Sequence, residues 1–466
     1  MLTSEEKAAI NQRLSANKVK SKKVVFDLIN TGASYEQVDA LMNQLIADQT
    51  EKQKPQILRN AQLAEYKVFG KHLITQNAID DMNSIMSMPF VLGGALMPDG
   101  HRVAPEKPPV GSVIVCDAVV PAYVGADISC SVNLTVTNMV VDDEWFAAAL
   151  PSIQYVLKNK ARFGLEIQPD PVVFSMAFYQ QPLDLKTDFG KHVYDHVKKI
   201  ARNHFATCGD GNHFFEFGYV PVTNKGDFRT TGKGKNHLAL LSHFGSRAVG
   251  STIAAEYEAL ANDRYEMPKG IKDAPLDPTS PDGQDYITLM NWAGDFAEAG
   301  HKWLHQYLLE QLAERVDLAY STTENVFSRH NSMWITNDGY VHRKGATPAD
   351  ANQKGVIPAT MGHATQIITG LGNPDSFSSA SHGGGRTHSR GQALQAFSNT
   401  HDYVLHEAGV TLIGGDSDED PRAYKDIYSV MAAQAECAVT IGQFYPKVVR
   451  MAEPRLPFWK MNKTKK

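Results

Sequence analysis

The chain has 466 residues with 42% hydrophobic content, so it can bury a large core, and its net charge of −5 excludes nucleic-acid binding through a global positive field. Its four cysteines contain no CxxC pair, which excludes a disulfide framework and favours a reducing compartment. No apolar run approaches the roughly 18 residues of a membrane span, and the N-terminus lacks an apolar signal core, so we expect a cytoplasmic protein without membrane contact.

The first 60 residues predict a polar helical extension. Ser4 and Ser34 each precede acidic residues in the manner of helix N-caps, and apolar residues from Val38 to Leu45 recur at helical spacing. We therefore expect this extension at 1–60 to be appended to a main domain at 61–452, followed by a short basic tail at 453–466.

The main domain mixes strand and helix patterns. β-Branched runs broken by Pro and Gly predict strands, apolar residues at every third or fourth position predict helices, and the Pro-, Asp- and Gly-rich segment 262–285 predicts a long loop. The predicted strands cover 110–115, 119–120 and 132–136, and the predicted helices cover 190–202, 286–315 and 424–441. Because these elements follow no regular βαβ alternation, we predict an α+β fold with mixed β-sheets flanked by helices.

Standard nucleotide and metalloprotease motifs are absent from the sequence. It contains no GxxxxGK[ST] and no HExxH, and the glycine-rich segment 232–237 lacks the third glycine of the dinucleotide pattern. Any nucleotide or metal chemistry must therefore use other residues.

Several potential metal ligands lie in short, glycine-bearing turns. Asp, Cys and His suit a borderline first-row metal, and a thiolate can bridge two ions. The Asp127-x-x-Cys130 spacing lets both side chains face one point across a turn. Each residue also has a simpler interpretation, since a turn histidine often only hydrogen bonds and a cysteine often serves as a small buried apolar residue. The residues concerned are Asp99, His101, Asp127, Cys130, His213, His243 and His330.

The segment 381–390 carries the strongest indication of phosphate chemistry. His382 stands directly before three glycines, and Arg386 and Arg390 follow. Glycine turns present backbone amides to anions, arginines bind phosphate oxygens, and a neutral imidazole is a candidate nucleophile. The alternative is a glycine-rich surface turn that happens to contain a histidine.

Together these motifs resemble the RtcB-type RNA ligases, which join RNA ends using GTP and manganese, and the chain is identified as a divergent member. The motifs occur in the family's order and cover roughly residues 64–452. The matching segments are 97–101, 124–130, 211–216, 243–247, 330–331, 342–346, 357–362, 381–390 and 423–427.

The resemblance implies covalent nucleotide transfer at a two-manganese site. His382 would attack the α-phosphate of GTP to form a guanylyl-histidine, GMP would pass to an RNA 3′-phosphate, and a 5′-hydroxyl would then seal the strand. A 2′,3′-cyclic phosphate end would first be opened by hydrolysis. Asp99, in metal loading or early catalysis, and Arg386 are further implied catalytic residues. The implied metal ligands are Asp127, Cys130, His213, His243 and His330, with Cys130 shared between both ions.

The resemblance also implies a guanosine site, an RNA path and partners. Glu216 fits guanine because a carboxylate accepts from N1–H and the exocyclic amine. The implied nucleotide contacts are Asn212, His213, Phe214, Phe215, Glu216, His330, Asn331, Pro358, Ala359, Thr360, Met361, Thr365, His382, Gly383, Gly384 and Gly385. The candidate RNA-phosphate contacts are Arg247, Arg343, Arg386 and Arg390. An archease-like activator is a further candidate partner.

One departure concerns the guanine contact. Members of the family usually end near a lysine that contacts guanine, whereas the comparable stretch 446–452 has none at that end, leaving Lys447, Arg450 or Lys460 as alternatives. Two other functions also stay open. One is a metal-dependent phosphoesterase acting on RNA 3′-phosphate or cyclic-phosphate ends without guanylylation, and the other is a non-catalytic RNA-end-binding protein.

Overall fold

The computed structural model describes residues 2–16, 22–51, 54–163, 171–223, 227–228 and 234–453. Helices and mixed or antiparallel sheets alternate irregularly along them, which confirms the predicted α+β class with a helical N-terminal region. The chain divides into two compact units, Met1–Ile57 with Asp263–Met267, and Leu58–Asn262 with Pro268–Lys466. The predicted domain boundaries stay a prediction, and residues 454–466 of the predicted tail lie outside the described residues.

The α-helices are numbered along the chain. They are α1 Ser4–Ala16, α2 Lys22–Asn30, α3 Tyr35–Glu51, α4 Gln76–Met86, α5 Pro121–Val124, α6 Asp143–Asn159, α7 Ala177–Gln180, α8 Asp188–His204, α9 Ala248–Arg264, α10 Pro281–Val316, α11 Arg390–Phe397, α12 His401–Glu407 and α13 Ile427–Ala432. Short 3₁₀ turns lie at Lys71–Leu73, Pro171–Ser175, Pro374–Ser376, Ser417–Glu419 and Pro421–Ala423.

The strands are numbered in the same way. They are β1 Tyr66–Val68, β2 Val91–His101, β3 Val110–Cys116, β4 Ser131–Val140, β5 Phe214–Val222, β6 Lys235–Phe244, β7 Thr322–Arg329, β8 Asn331–Thr336, β9 Gly339–Lys344, β10 Ala346–Pro348, β11 Lys354–Ile357, β12 Thr365–Gly370, β13 Ser379–Ser381, β14 Thr411–Ile413 and β15 Ala438–Met451.

The N-terminal unit forms its own small helical core. Helices α1, α2 and α3 each contribute apolar residues at helical spacing, as the sequence pattern predicts. The buried residues are Ile10, Leu14, Val25, Ile29, Val38 and Met42.

The large sheet of the second unit carries most of the candidate site. Its strand order is β11-β12-β15-β5-β6-β4-β7, and β14 pairs with β15. Val132, Leu134 and Leu241 lie in the apolar cluster on one face. Because strand residues alternate between faces, their neighbours point to the other face, against α10. The Val356 backbone N–H donates to Ser328 Oγ at 2.9 Å, so the two edge strands of this curled sheet approach each other.

A second, smaller sheet lies beside the large one in the same unit. Its order is β1-β2-β3-β9-β8. A short antiparallel pair, β10 with β13, ends at Ser381, directly before His382. This pairing positions the glycine-rich segment that follows.

Several predicted strands and helices are correct, and one predicted helix is wrong. Strands at 110–115 and 132–136 and helices at 190–202 and 286–315 are confirmed within β3, β4, α8 and α10. The predicted helix at 424–441 is wrong, because α13 ends at Ala432 and β15 begins at Ala438. Pairing of β15 with β12 and β5 overrides its helical spacing.

The predicted strand at 119–120 is also wrong, and one predicted loop has different bounds. At 119–120 there is only a single bridge, Val119 to Leu276, because Pro121 begins α5. The predicted loop 262–285 is shorter at both ends, since α9 runs to Arg264 and Ser280 caps the start of α10. Among the helices that the structure describes, none combines the length and apolar composition needed to cross a bilayer.

Candidate active site

Five potential metal ligands meet at one end of four neighbouring strands of the large sheet. His213 directly precedes β5, His243 lies at the end of β6, Cys130 directly precedes β4, and His330 directly follows β7. Because these antiparallel strands are neighbours, the start of one lies beside the end of the next. Asp127 joins them from the turn before Cys130.

The donor atoms form two groups that share the Cys130 sulfur. Cys130 Sγ lies 3.2 Å from His243 Nε2, which lies 3.2 Å from His330 Nε2. On the other side, Cys130 Sγ lies 3.6 Å from His213 Nε2, which lies 3.4 Å from Asp127 Oδ2. Within each group all ligand atoms lie within 4.8 Å of one another. The arrangement places five candidate ligands around two adjacent points.

Burial sets the protonation of this cluster. It lowers the pKa of His243 and of His330 well below the usual range, so both imidazoles are neutral. Burial raises the pKa of the Cys130 thiol well above its usual range, with Asp127 adding to the shift. Burial also acts to raise the pKa of Asp127, but its hydrogen bond with His213 brings that pKa below the ordinary value. A cation bound here would release the thiol proton.

The surroundings of the cluster fit a divalent cation. His213 Nδ1 donates to the Cys208 carbonyl at 2.9 Å, which leaves the Nε2 lone pair for a metal. Arg247 Nη1 lies 3.1 Å from the same Nδ1, but a guanidinium only donates and cannot bond to an N–H. A Cβ at Gly245 would lie 2.4 Å from Asp127 Oδ1. Any larger residue there would therefore displace the Asp127 carboxylate. Thiolate, imidazole and carboxylate together suit a first-row divalent ion.

His382 lies beside this cluster and is oriented by a buried carboxylate. Its Nδ1 lies 2.7 Å from Asp99 Oδ2, which also accepts from the His382 backbone N–H at 3.1 Å. Burial acts to raise the Asp99 pKa, but the hydrogen bond and charge of His382 lower it below the ordinary value. An ionised Asp99 accepts only, so Nδ1 carries a proton, and in the neutral imidazole Nε2 then holds the lone pair. The imidazoles of His382 and His330 have centroids 4.9 Å apart.

The backbone around Asp99 is fixed from both sides. Lys425 Nζ donates to the carbonyls of Pro98 and Gly100 at 2.9 and 2.8 Å. Burial lowers the pKa of Lys425 to about 8. Gly385 has φ +70°, and a Cβ there would lie 2.2 Å from the Asp99 carbonyl oxygen. The glycine-rich segment therefore packs directly against the backbone of Asp99, the residue whose carboxylate orients His382.

A cavity of about 500 Å³ connects the two parts of the site. It brings together most residues predicted for the nucleotide. These are Asn212, Phe214, Glu216, His330, Asn331, Pro358, Ala359, Thr360, Met361, Thr365, His382, Gly383, Gly384 and Gly385. His213 lies in the metal cluster, whereas Phe215 points to the opposite face of β5 and is fully buried there. The prediction that Phe215 contacts the nucleotide is therefore not supported by its position.

Glu216 lines this cavity and its carboxyl is buried. Burial raises its pKa to about 8, and no cation in the described part of the chain opposes that shift. The alternatives for a guanine-contacting cation lie elsewhere. Lys447 Nζ pairs with Asp143 at 2.8 Å, Arg450 pairs with Glu453 at 2.7 Å, and Lys460 is outside the described residues.

The arginines predicted for RNA differ in their placement. Arg386 and Arg390 line the cavity and both bind Glu419. Arg247 lies behind His213. Arg343 is buried and donates to Ser379 Oγ and to the carbonyls of residues 377 and 378. Its interpretation as an RNA contact is wrong, because the side chain is buried and its Nε and Nη2 groups donate inside the fold.

Other lining residues received no role from the sequence. Lys344 and Tyr424 belong to segments that matched the family, so motif membership was the available signal for them. Glu419, Val449 and Met451 also line the cavity, and the approach of Val449 and Met451 depends on the pairing of β15 with β5. His101, which the sequence named as a potential metal ligand, lines the cavity too, with Nδ1 3.0 Å from the Asp99 carbonyl, and it belongs to neither ligand group.

Comparisons with known proteins find relatives that match most of the chain. The family model described as "tRNA-splicing ligase RtcB" matches residues 81–450. The chain is 29% identical over 399 residues to the RNA-splicing ligase RtcB of Escherichia coli (strain K12), covering 79% of this chain and 92% of that protein. It is 27% identical over 455 residues to the tRNA-splicing ligase RtcB of Nanoarchaeum equitans, covering 83% and 94%. For the RNA-splicing ligase RtcB of Mycobacterium tuberculosis the values are 28% over 401 residues, covering 72% and 92%.

Proposed function

The chain belongs to the tRNA-splicing ligase RtcB family and is an RNA ligase, and we propose that it joins RNA 3′-phosphate or 2′,3′-cyclic phosphate ends to 5′-hydroxyl ends, using GTP and two manganese ions through a guanylyl-histidine. The observation that carries this proposal is the position of His382 between an orienting carboxylate and the metal-type cluster. A histidine with a free Nε2 beside cation ligands is equipped to attack a phosphorus atom.

Three displacements account for the reaction. The His382 Nε2 lone pair attacks the α-phosphorus of GTP, the bond to the β-phosphate oxygen breaks, and pyrophosphate leaves. An oxygen of the RNA 3′-phosphate then attacks the same phosphorus, and the phosphorus–nitrogen bond breaks. The RNA 5′-hydroxyl attacks the activated 3′-phosphorus, forms the phosphodiester and releases GMP and a proton. A cyclic phosphate is first opened by water.

Other residues of the site orient His382, hold the ions and bind the phosphates. Asp99 holds the His382 Nδ1 proton and supports the imidazolium that forms on attack. Asp127, Cys130, His213, His243 and His330 would hold two divalent ions, which when bound supply positive charge to the reacting phosphates. The glycines after His382 line the cavity beside it and can present backbone amides to phosphate oxygens.

Glu216 supports the choice of guanine. It lies in the cavity wall, and among the residues that the structure describes no cation compensates it. Guanine offers two adjacent donors, N1–H and the exocyclic amine, whereas adenine offers only one donor on that edge. A carboxylate at this point therefore gains a second hydrogen bond from guanine alone.

Ligation of defined RNA ends tests the proposal. The chain is incubated with one RNA carrying a 2′,3′-cyclic phosphate and a second carrying a 5′-hydroxyl, with manganese and with either GTP or ATP. We expect a joined strand with GTP and none without nucleotide. Opened or dephosphorylated ends with no joined strand, even when GTP is present, would instead identify the phosphoesterase alternative. RNA binding without turnover would identify the non-catalytic one. Parallel reactions with and without an archease-like protein test the proposed activator.

A further inference from the structure

A polar network lies buried behind the metal-binding strands, where the large sheet packs on α10. Cys130 precedes β4 and His243 is on β6, and both face the cluster. Ser242, one residue before His243, points to the opposite face and meets His301 and His305 of α10. All three of these polar residues are at least 98% buried. Apolar side chains would cost less at such an interface, so the network calls for an explanation.

The network is continuous from β4 to β6. Ser242 Oγ lies 2.7 Å from His301 Nδ1 and 2.6 Å from His305 Nε2. His301 Nε2 lies 3.1 Å from the carbonyl oxygen of Phe244, and His305 Nδ1 lies 2.8 Å from Thr135 Oγ1. These five residues form the Ser242 network. They flank His243 on both sides and reach β4, the strand that follows Cys130.

Only one assignment of protons satisfies every contact. The Phe244 carbonyl accepts only, so His301 Nε2 carries the proton and its Nδ1 must accept from the Ser242 hydroxyl. That hydroxyl then accepts from His305 Nε2–H, and His305 Nδ1 accepts from Thr135 at 2.8 Å and from the Asn133 amide, also on β4, at 3.1 Å. Burial lowers the pKa of His305 to about 3 and that of His301 well below its usual range. Both rings are therefore neutral, as the assignment requires.

We propose that the Ser242 network positions the metal ligands by fixing β4 and β6 in a single register against α10. An apolar helix–sheet contact tolerates small shifts and repacking, whereas a directional hydrogen-bond chain is satisfied at one register only. Ligand atoms need placement within about 0.5 Å to bind an ion well. Cys130 Sγ and His243 Nε2 are 3.2 Å apart and come from the two strands that the network joins. The inference rests on the metal part of the proposed function and not on ligation.

Metal binding by the full chain tests the network without an activity assay. Ser242→Ala removes the shared hydroxyl and leaves His301 Nδ1 and His305 Nε2–H without partners. Cobalt binding is followed by the thiolate-to-cobalt absorption band, which reports the Cys130 bond, and manganese binding by the electron paramagnetic resonance of the free ion. We expect affinity to fall about tenfold or more, with a shifted cobalt band. Thr135→Val, nearly isosteric, gives a smaller change in the same direction and serves if Ser242→Ala fails to fold.

A matched control separates positioning from general loss of stability. His237 is on β6 as well, and its Nδ1 lies 2.7 Å from the Thr137 carbonyl, away from the ligands. His237→Gln should leave both metal affinity and the cobalt band unchanged. Unchanged binding in both Ser242→Ala and Thr135→Val, or an equal loss in His237→Gln, would overturn the inference alone. An unsubstituted chain that binds neither ion would overturn it together with the metal part of the proposed function.

Discussion

The imidazole rings of His330 and His382 have centroids 4.9 Å apart and are tilted by 47°. His330 is joined to the cluster through His243, and His382 is joined to Asp99. These two neighbouring rings therefore connect the cation ligands to the candidate nucleophile across one cavity. A phosphate bound to ions at the cluster would lie within reach of His382 without a large rearrangement of the chain.

The first prediction concerns the tautomer of His382. Asp99→Asn keeps the shape of the side chain, but its amide can donate to Nδ1 and favour the tautomer whose Nε2 is protonated. We expect the rate of guanylylation to fall about 10²-fold or more, with little change in melting temperature. The rate is measured with α-labelled GTP in single-turnover reactions. Asp375→Asn, an exposed partner of Lys67, is the control and should react at the unsubstituted rate. An undiminished rate in Asp99→Asn would refute the orienting role.

The second prediction concerns the number of bound ions. Because Cys130 belongs to both ligand groups and His330 to only one, their substitutions should differ. We expect Cys130→Ala to lose both ions and His330→Gln to keep one, as counted by calorimetric titration and metal analysis. Cys437→Ala, at another buried cysteine, should keep both. Two tightly bound ions in Cys130→Ala would contradict the shared thiolate.

The third prediction concerns stability and pH. Burial raises the pKa of Glu216 from 4.5 to about 8, so the folded chain holds this proton more tightly than the unfolded chain. The associated stability is fully present below pH 4.5, declines as pH rises, and is lost above about pH 8. Glu216→Gln should therefore flatten the decline between these limits. Chemical denaturation at several pH values measures it, with the exposed Glu65→Gln as control. If the free energy of unfolding declines with pH equally in both variants, the titrating group is not Glu216.

The fourth prediction concerns the choice of nucleotide. Guanine needs the ionised form of Glu216, so GTP binding below about pH 8 should release a proton. Calorimetry in buffers with different ionisation enthalpies measures that proton. Glu216→Gln should abolish the release and reduce the preference for GTP over ATP about tenfold or more. Equal preference in the variant and the unsubstituted chain would argue against this carboxyl as the base contact.

The sequence predicted the local parts of the site better than the distant contacts. Asp127 and Cys130 lie in one turn, so their spacing alone indicated a common target, and the structure brings them together. Asp99 and His382 are 283 positions apart, and no local pattern links them. The family resemblance assigned Asp99 to metal loading or early catalysis. In the structure its carboxylate hydrogen-bonds the His382 ring. The register that joins such residues is set by pairing across the sheets.

Burial explains the other differences. In the sequence, Arg343 and Lys447 cannot be distinguished from cations that bind a phosphate or a base. In the fold, one is enclosed by backbone carbonyls and the other pairs with Asp143. Similarly, Phe215 follows Phe214 directly, but alternation along β5 sends only Phe214 into the cavity. Composition and motif order cannot distinguish these cases, because exposure depends on the packed neighbours.

The covalent step gives the most direct test of the account. The full chain is incubated with GTP labelled in the α-phosphate and with manganese, and the protein is separated and counted. We predict an acid-labile, base-stable label on the unsubstituted chain and on His388→Ala, a histidine of the same segment that does not line the cavity. His382→Ala should carry none. Label that persists in His382→Ala would contradict the central claim, and so would its absence from the unsubstituted chain.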